Sequence, residues 1–278
     1  MIKKTDIYYQ NSLGEKIYLS RQPYMMLADT DLFDYEWEIS QSQGIYTSSK
    51  SLDAKSLKVS VSGGSKENYH KNLDNIFSIF EKDILLDTPG RLYINGFFMF
   101  CFINAKTNSS KFITRFPTTI EFSVMPTDDG WFLEIEKDFS ANNEDWVSLY
   151  LDFPFDFPFE FYLTQVHTGN ISVQSFAKIF PILTIHGRAE NPSVQIADKI
   201  YGINVTLAEN EDLVIDAYNS EFKVISDSST DKNVFSLRQN NDMLDGFITN
   251  AGEYKIYWDG DFDFSLKLIC KRGEPSWT

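Results

Sequence analysis

Cysteine is scarce: Cys101 and Cys270 are the only two in 278 residues. Each lies in an apolar run, FFMFCFI and LKLIC, so both are expected to be buried free thiols. Two such residues make no disulfide framework. Basic clusters are missing too. Forty acids face 25 bases, for a net charge of −15. Proteins that grip phosphate backbones or anionic membrane surfaces need a basic footprint, so neither kind of binding is expected. Long apolar runs are absent: GFFMFCFI falls far short of the roughly 20 residues of a membrane span. The opening MIKKTDIYYQ carries charge and no apolar stretch, which predicts no signal peptide and a soluble chain made in the cytoplasm.

Reactive motifs are equally thin. The three histidines, His70, His167 and His186, are scattered. There is no HExxH, no Cys pairing, no GxSxG ahead of a helix, no GxGxxG and no P-loop, so neither zinc, nucleotide cofactor nor hydrolase elbow is expected. Gly63-Gly64 could bring amides to a helix N-terminus, but without the P-loop lysine and hydroxyl a plain turn is the simpler reading. Asp259, Asp261 and Asp263 alternate in DGDFDF and could share a strand face suited to calcium. They lack the rest of an EF-hand loop, so a solvated strand face is expected. Glu134 and Glu136 also share a strand face. Paired carboxylates serve glycosidases, yet most exposed strands offer such a pair. No catalytic residue, cofactor-binding residue or metal ligand is therefore assigned.

Aromatic and β-branched residues are what the chain does have, with 24 Phe and 14 Tyr. They fall in short runs that favour strands. DIYYQ and KIYLS flank NSLGE as a hairpin. Residues 65–84 form the one convincing helix, capped by Ser65, with Tyr69, Leu73, Ile76, Phe77, Phe80 and Ile84 on one face and Thr88-Pro89-Gly90 as the stop. RLYINGFFMFCFINAKT, FITRFPTTIEFSVMPT and GWFLEIEKDF read as long antiparallel strands. The polar SANNEDWV marks a candidate boundary. Beyond it come strand-like runs including FYLTQVHTG, NISVQSF, KIFPILTIHG, EFKVIS, NVFSLR and FDFSLKLICKR. Turn signals such as Thr168-Gly169-Asn170 and Asn250-Ala251-Gly252 separate them, a pattern of β-sandwiches. In DFPFDFPFEF, Phe153, Phe155, Phe157, Phe159 and Phe161 alternate with prolines and acids. That pattern predicts an edge strand or extended connector that buries an aromatic row and shows water Pro154, Asp156, Pro158 and Glu160. The fold class is thus mainly β: an α+β domain over 1–143, with its helix at 65–84, and a β-sandwich domain over 144–278.

Several stretches carry a family resemblance. DIYYQNSLGEKIYLSRQPYMM resembles the first hairpin of the siphophage-type distal tail proteins, the Dit family. RLYINGFFMFCFI followed by DGWFLEIEKDF looks like the end of that family's N-terminal domain. ILTIHGRAENPSVQI is similar to its strand–Gly–turn–Asn–Pro signature, and GINVTLAENEDLVIDAY and FITNAGEYKIYWDGDFDFSLKL resemble the segments that follow. The resemblance implies a virion structural protein of the tail tip or baseplate, from a phage, a prophage or a tail-like bacteriocin, and no enzyme. It implies an N-terminal domain forming a hexameric ring at the distal end of the tail, with a galectin-like C-terminal sandwich projecting from it. The implied partners are other copies of the chain, the tail tube protein, the tail-associated hub protein, and receptor-binding or other baseplate proteins. No nucleic-acid binding is implied beyond DNA passing through the lumen, and no membrane insertion. Strands from 91–104 and 112–125 are expected to pair between subunits, and the acids of Asp29–Asp34 either to contribute to an acidic channel or to form part of a generally solvated acidic surface. A carbohydrate-binding sandwich with an accessory domain is the alternative reading, and a glycoside hydrolase using Glu134 or Glu136 a third.

Overall fold

The computed structural model describes residues 6–20, 25–34, 37–42, 45–105, 118–141, 145–148, 165–174, 176–226, 229–244, 246–260 and 262–275. The aromatic stretch 152–161 lies outside them. The fold is mainly β, and the chain divides into two compact units, Met1–Leu133 with Arg272–Thr278, and Glu134–Lys271. The expected division after residue 143 is a different cut: strand β10 (Trp131–Phe139) carries the chain from the first unit into the second.

In the first unit, β1 (Ile7–Gln10), β2 (Lys16–Tyr18), β3 (Met25–Thr30), β6 (Lys55–Val61), β7 (Gly90–Ile94), β8 (Phe97–Ala105) and β9 (Thr118–Pro126) form an antiparallel sheet ordered β2-β1-β7-β8-β9-β6-β3. Between β3 and β6 the chain makes a separate hairpin, β4 (Trp37–Ser42) with β5 (Ile45–Lys50). The first hairpin turn is built as its sequence suggests. The Asn11 side chain accepts the Glu15 amide at 2.8 Å, and Gly14 takes a φ of +84° that a side chain would disfavour.

Helix α1 (Lys66–Leu85) starts where expected, with Ser65 Oγ accepting the Asn68 amide at 3.2 Å. Gly63 precedes it because a Cβ there would collide with the Tyr69 backbone. The Gly-Gly pair therefore serves close approach and a turn. The buried face differs from the expected one. Tyr69, Ile76 and Phe80 are buried and Leu73 packs on the core. Phe77 and Ile84, however, are exposed, at 39% and 47%, while Ile79 and Asp83 are buried. The stripe is rotated because Phe80 meets Tyr9 edge-on at 5.0 Å and Phe122 at 5.2 Å, which turns the Asp83 position inward. A carboxylate can be buried there only because donors wait for it.

In the second unit two sheets face each other. One is ordered β23 (Asp263–Arg272), β13 (Ala177–His186), β18 (Glu211–Asp216), β19 (Glu221–Ser226), β20 (Ser229–Asn233), with β21 (Phe247–Thr249) also on β13. The other is ordered β11 (Asp145–Ser148), β12 (Gln165–Val173), β22 (Gly252–Trp258), β15 (Ser193–Ile196), β16 (Lys199–Gly202). A short pair, β14 (Ala189–Glu190) and β17 (Thr206–Leu207), completes the unit among the described residues. Aromatics from both sheets meet between them: Trp258 of β22 packs edge-on against Phe264 of β23 at 5.1 Å, and Phe139 stacks on Phe264 at 4.9 Å.

Two sequence expectations fail here. No turn occurs at Thr168-Gly169-Asn170, because β12 runs straight through it, paired with β22 from His167 to Val173. Gly169 is buried in the strand because the Phe139 ring fills the space a Cβ would need. NVFSLR is not a strand: β20 ends at Asn233, and Phe235–Leu237 form a 3-10 turn. The Asn233 side chain accepts the Phe235 amide at 2.9 Å, and Arg238 lies over the Phe235 ring at 4.3 Å. These local bonds replace a ladder.

Cys101 and Cys270 are both buried and free. Burial raises the Cys270 thiol to about 11 and pushes Cys101 higher still. Since the thiolate is the reactive form, neither is expected to react with a disulfide reagent at about pH 8 in the folded chain, and both after unfolding in urea. Prompt native labelling of either would contradict the burial.

Candidate functional site

The strongest polar constellation of the first unit surrounds Asp83, which is fully buried. The last turn of α1 delivers it under the β1–β2 turn. Tyr9 Oη donates to Oδ2 at 2.5 Å, while the Ser12 amide and hydroxyl donate to Oδ1 at 2.8 and 2.6 Å. Gly90 closes the site, since a Cβ would collide with Tyr9 Oη and Asp83 Oδ2. Both carboxylate oxygens are engaged, so the group locks helix to hairpin and has no oxygen turned to a substrate.

In the second unit β13, β18 and β23 lie side by side. Their register sets His186 opposite Asp212 on one flank and Asp263 on the other. His186 Nδ1 is 3.2 Å from Asp212 Oδ1, and Nε2 is 3.0 Å from Ser265 Oγ. The order Asp–His–Ser is that of a hydrolytic triad. The surroundings argue against that chemistry. Ser265 sits inside a ladder-paired strand, where amides lie in the sheet plane and do not form an outward oxyanion cradle. The adjoining open cleft of about 430 Å³ presents Asp138 and Asp263, whose charge would oppose a developing oxyanion. His186 and Asp212 are nearly half exposed, where hydrogen bonds exchange freely with water. The cluster is a surface hydrogen-bond network. In the sequence His186 stands apart from the other histidines, because cross-strand register is not written in residue spacing.

The other sequence candidates do not converge. His70 is exposed on α1, while His167 is buried and stacked on Trp258 at 5.1 Å. Glu134 and Glu136 both lie on β10, the first partly buried and the second exposed. The expected single strand face for Asp259, Asp261 and Asp263 is not formed: Asp259 precedes a turn at Gly260 (φ +101°), Asp261 lies outside the described residues, and only Asp263 belongs to a strand. Asp259 accepts from the Ser193 hydroxyl at 3.3 Å and Asp263 from the Ala141 amide at 3.0 Å. Among the described residues no group of His, Cys, Asp and Glu is arranged to hold a metal ion. No described helix is long and apolar enough to cross a membrane. In the acidic stretch, Asp29 is paired with Lys58 at 2.9 Å and Asp31 Oδ1 accepts the Ser56 amide. Part of that charge is thus committed locally.

The strands expected to pair between subunits are largely interior. β8 is flanked by β7 on one side and by β9 and Phe132 of β10 on the other, and β9 lies between β6 and β8. Residues 112–117 lie outside the described residues. The expectation failed because strand-forming strength marks central strands as readily as edges. The edges of the sheet are β2, paired only with β1, and β3, paired only with β6, while the strands of the β4–β5 hairpin pair only with each other among the described residues.

No protein-family model and no curated protein matches the sequence. Solved structures do match the fold. A chain of the phage P2 baseplate in its activated conformation with calcium superposes with a TM-score of 0.56 at 10% identity, covering 95% of this chain and 97% of that chain. A chain of the same baseplate with strontium gives 0.56 at 11% identity, with the same coverage.

Proposed function

We propose that this chain is a structural protein of a phage-type tail tip, of the distal tail (Dit) kind. In this reading it forms a hexameric ring that joins the tail tube to the baseplate. The observation that carries it is the extent of the fold match: it takes in both compact units and nearly the whole of the baseplate chain. A single sandwich is a widespread architecture and carries little information about role. Two units in the same order, matched almost end to end, are far more restrictive. The ordered sequence segments that resemble the family support the same reading independently. The first unit would make the ring, and the second, a galectin-like sandwich, would offer surface to receptor-binding or other baseplate proteins. The tail tube and the tail-associated hub protein would dock on opposite faces of the ring. The location would be the distal end of the tail in the virion. The role would require no reaction, and the networks around Asp83 and His186 support this reading.

Electron microscopy is the test, on both the purified chain and isolated tails labelled with an antibody to it. Rings with six-fold symmetry and label at one tail end are expected. Monomers alone in the purified sample, together with unlabelled tail tips, would overturn the reading.

A further inference from the structure

We propose that the β4–β5 hairpin is an arm that seats on a second copy of this chain, an inference that rests on the ring reading above. A lone two-stranded hairpin is at best marginally stable in water. This one pairs with no third strand among the described residues, and every residue of β4 is exposed, Ile39 to 71%. Its base is anchored. Lys50 Nζ donates to the Gly273 carbonyl at 2.7 Å, and the Trp37 indole lies where a side chain at Gly273 would stand, 2.8 Å from an added Cβ. An arm held at its root, with every side chain of β4 exposed, is placed to reach a partner.

The partner's nature follows from charge. The chain carries −15, so two copies repel unless they meet through neutral surface. Residues 39–49, ISQSQGIYTSS, contain no Asp, Glu, Lys or Arg. A basic partner would be captured by the acidic surface elsewhere, whereas an arm uncharged between Glu38 and Lys50 suits contact with another copy of the same acidic molecule. The unprotected edge points the same way. Edge strand β3 is interrupted by a bulge between Leu27 and Asp29 and displays an exposed acid at that bulge, both devices that deter pairing, whereas the one acid of β4, the exposed Glu38, sits at the root beside Trp37. The arm has neither charge nor proline over 39–49, as expected of a strand pair that is covered once assembled. Contact between the arm of one copy and a different surface of the next is heterologous, the kind that closes rings.

The test mixes isotopically heavy and light full-length chain, each carrying a photo-reactive phenylalanine analogue at position 39, and maps cross-links by mass spectrometry. In parallel, sedimentation velocity compares wild type with Ile39→Asp, with circular dichroism as the folding control. Heavy-to-light cross-links from position 39 are expected, with self-association weakened at least about tenfold in the folded variant. Cross-links confined to one copy, or unchanged association of Ile39→Asp, would overturn the arm. If rings persist under either of those outcomes, the ring reading survives the loss. If neither purified chain nor tail tips contain associated copies, both fall.

Discussion

Asp83→Ala is expected to destabilise the first unit by about 3 kcal/mol, the scale of losing charge-assisted hydrogen bonds and stranding their donors. The substitution takes the main acceptor from the buried Tyr9 hydroxyl, leaving it only the Cys101 carbonyl at 3.4 Å, and from the Ser12 amide and hydroxyl at the exposed rim of the site. Asp83→Asn should cost much less. Its oxygen can keep the Ser12 bonds while its amide donates to Tyr9 Oη, which then acts as acceptor. Urea unfolding followed by tyrosine and tryptophan fluorescence reads both. Equal losses for the two variants, or under about 0.5 kcal/mol for alanine, would mean that the cradle contributes only packing. A pH series provides a second check. Burial above all, then Cys101 and the hydrogen bond with Asp83, pushes the Tyr9 phenol well above its ordinary value near 10. A raised phenol stabilises the fold fully below the unfolded value, and that contribution is lost as pH rises above about 10. Tyr9→Phe is therefore expected to flatten part of the alkaline fall in stability.

Gly169→Val should be the most damaging single change in the second unit. The residue does not occupy the left-handed region, so the backbone tolerates any side chain. The obstacle is space, because the Phe139 ring occupies the Cβ position and Trp258 stands 3.6 Å from it. Overpacking of this kind costs about 1–3 kcal/mol, and a branched side chain against two aromatic rings belongs at the upper end. Phe139→Leu in the same chain is expected to restore part of the loss, since it removes the colliding ring. Thermal melts of the single and double variants separate this from a backbone effect, which Phe139→Leu would not repair. A neutral Gly169→Val would show that the two sheets have room to move apart.

Neither of these two sites is legible in the local sequence. Gly169 sits in a Thr-Gly-Asn triplet, which is ordinary turn chemistry, and local propensity predicts a break there. The strand continues because β22 supplies a complete ladder and Phe139, distant in sequence, needs the missing side chain. Asp83 lies on a helix position that polarity alone assigns to solvent. Its three donors come from residues 71 and 74 positions away, a separation no local pattern encodes. The His186 network depends in the same way on the register of three strands.

The mainly β class, the helix at Lys66–Leu85 and its Ser65 cap, the first hairpin and the two buried thiols followed from the sequence alone. Each rests on residues close together in the chain, or on side chains whose cost of exposure is large wherever they fall. Which strands became edges, which glycine makes room for an aromatic ring and which acid is buried were decided only by tertiary structure. Those outcomes depend on partners brought together across long stretches of chain, and the free energy of such a meeting belongs to the pair rather than to either residue.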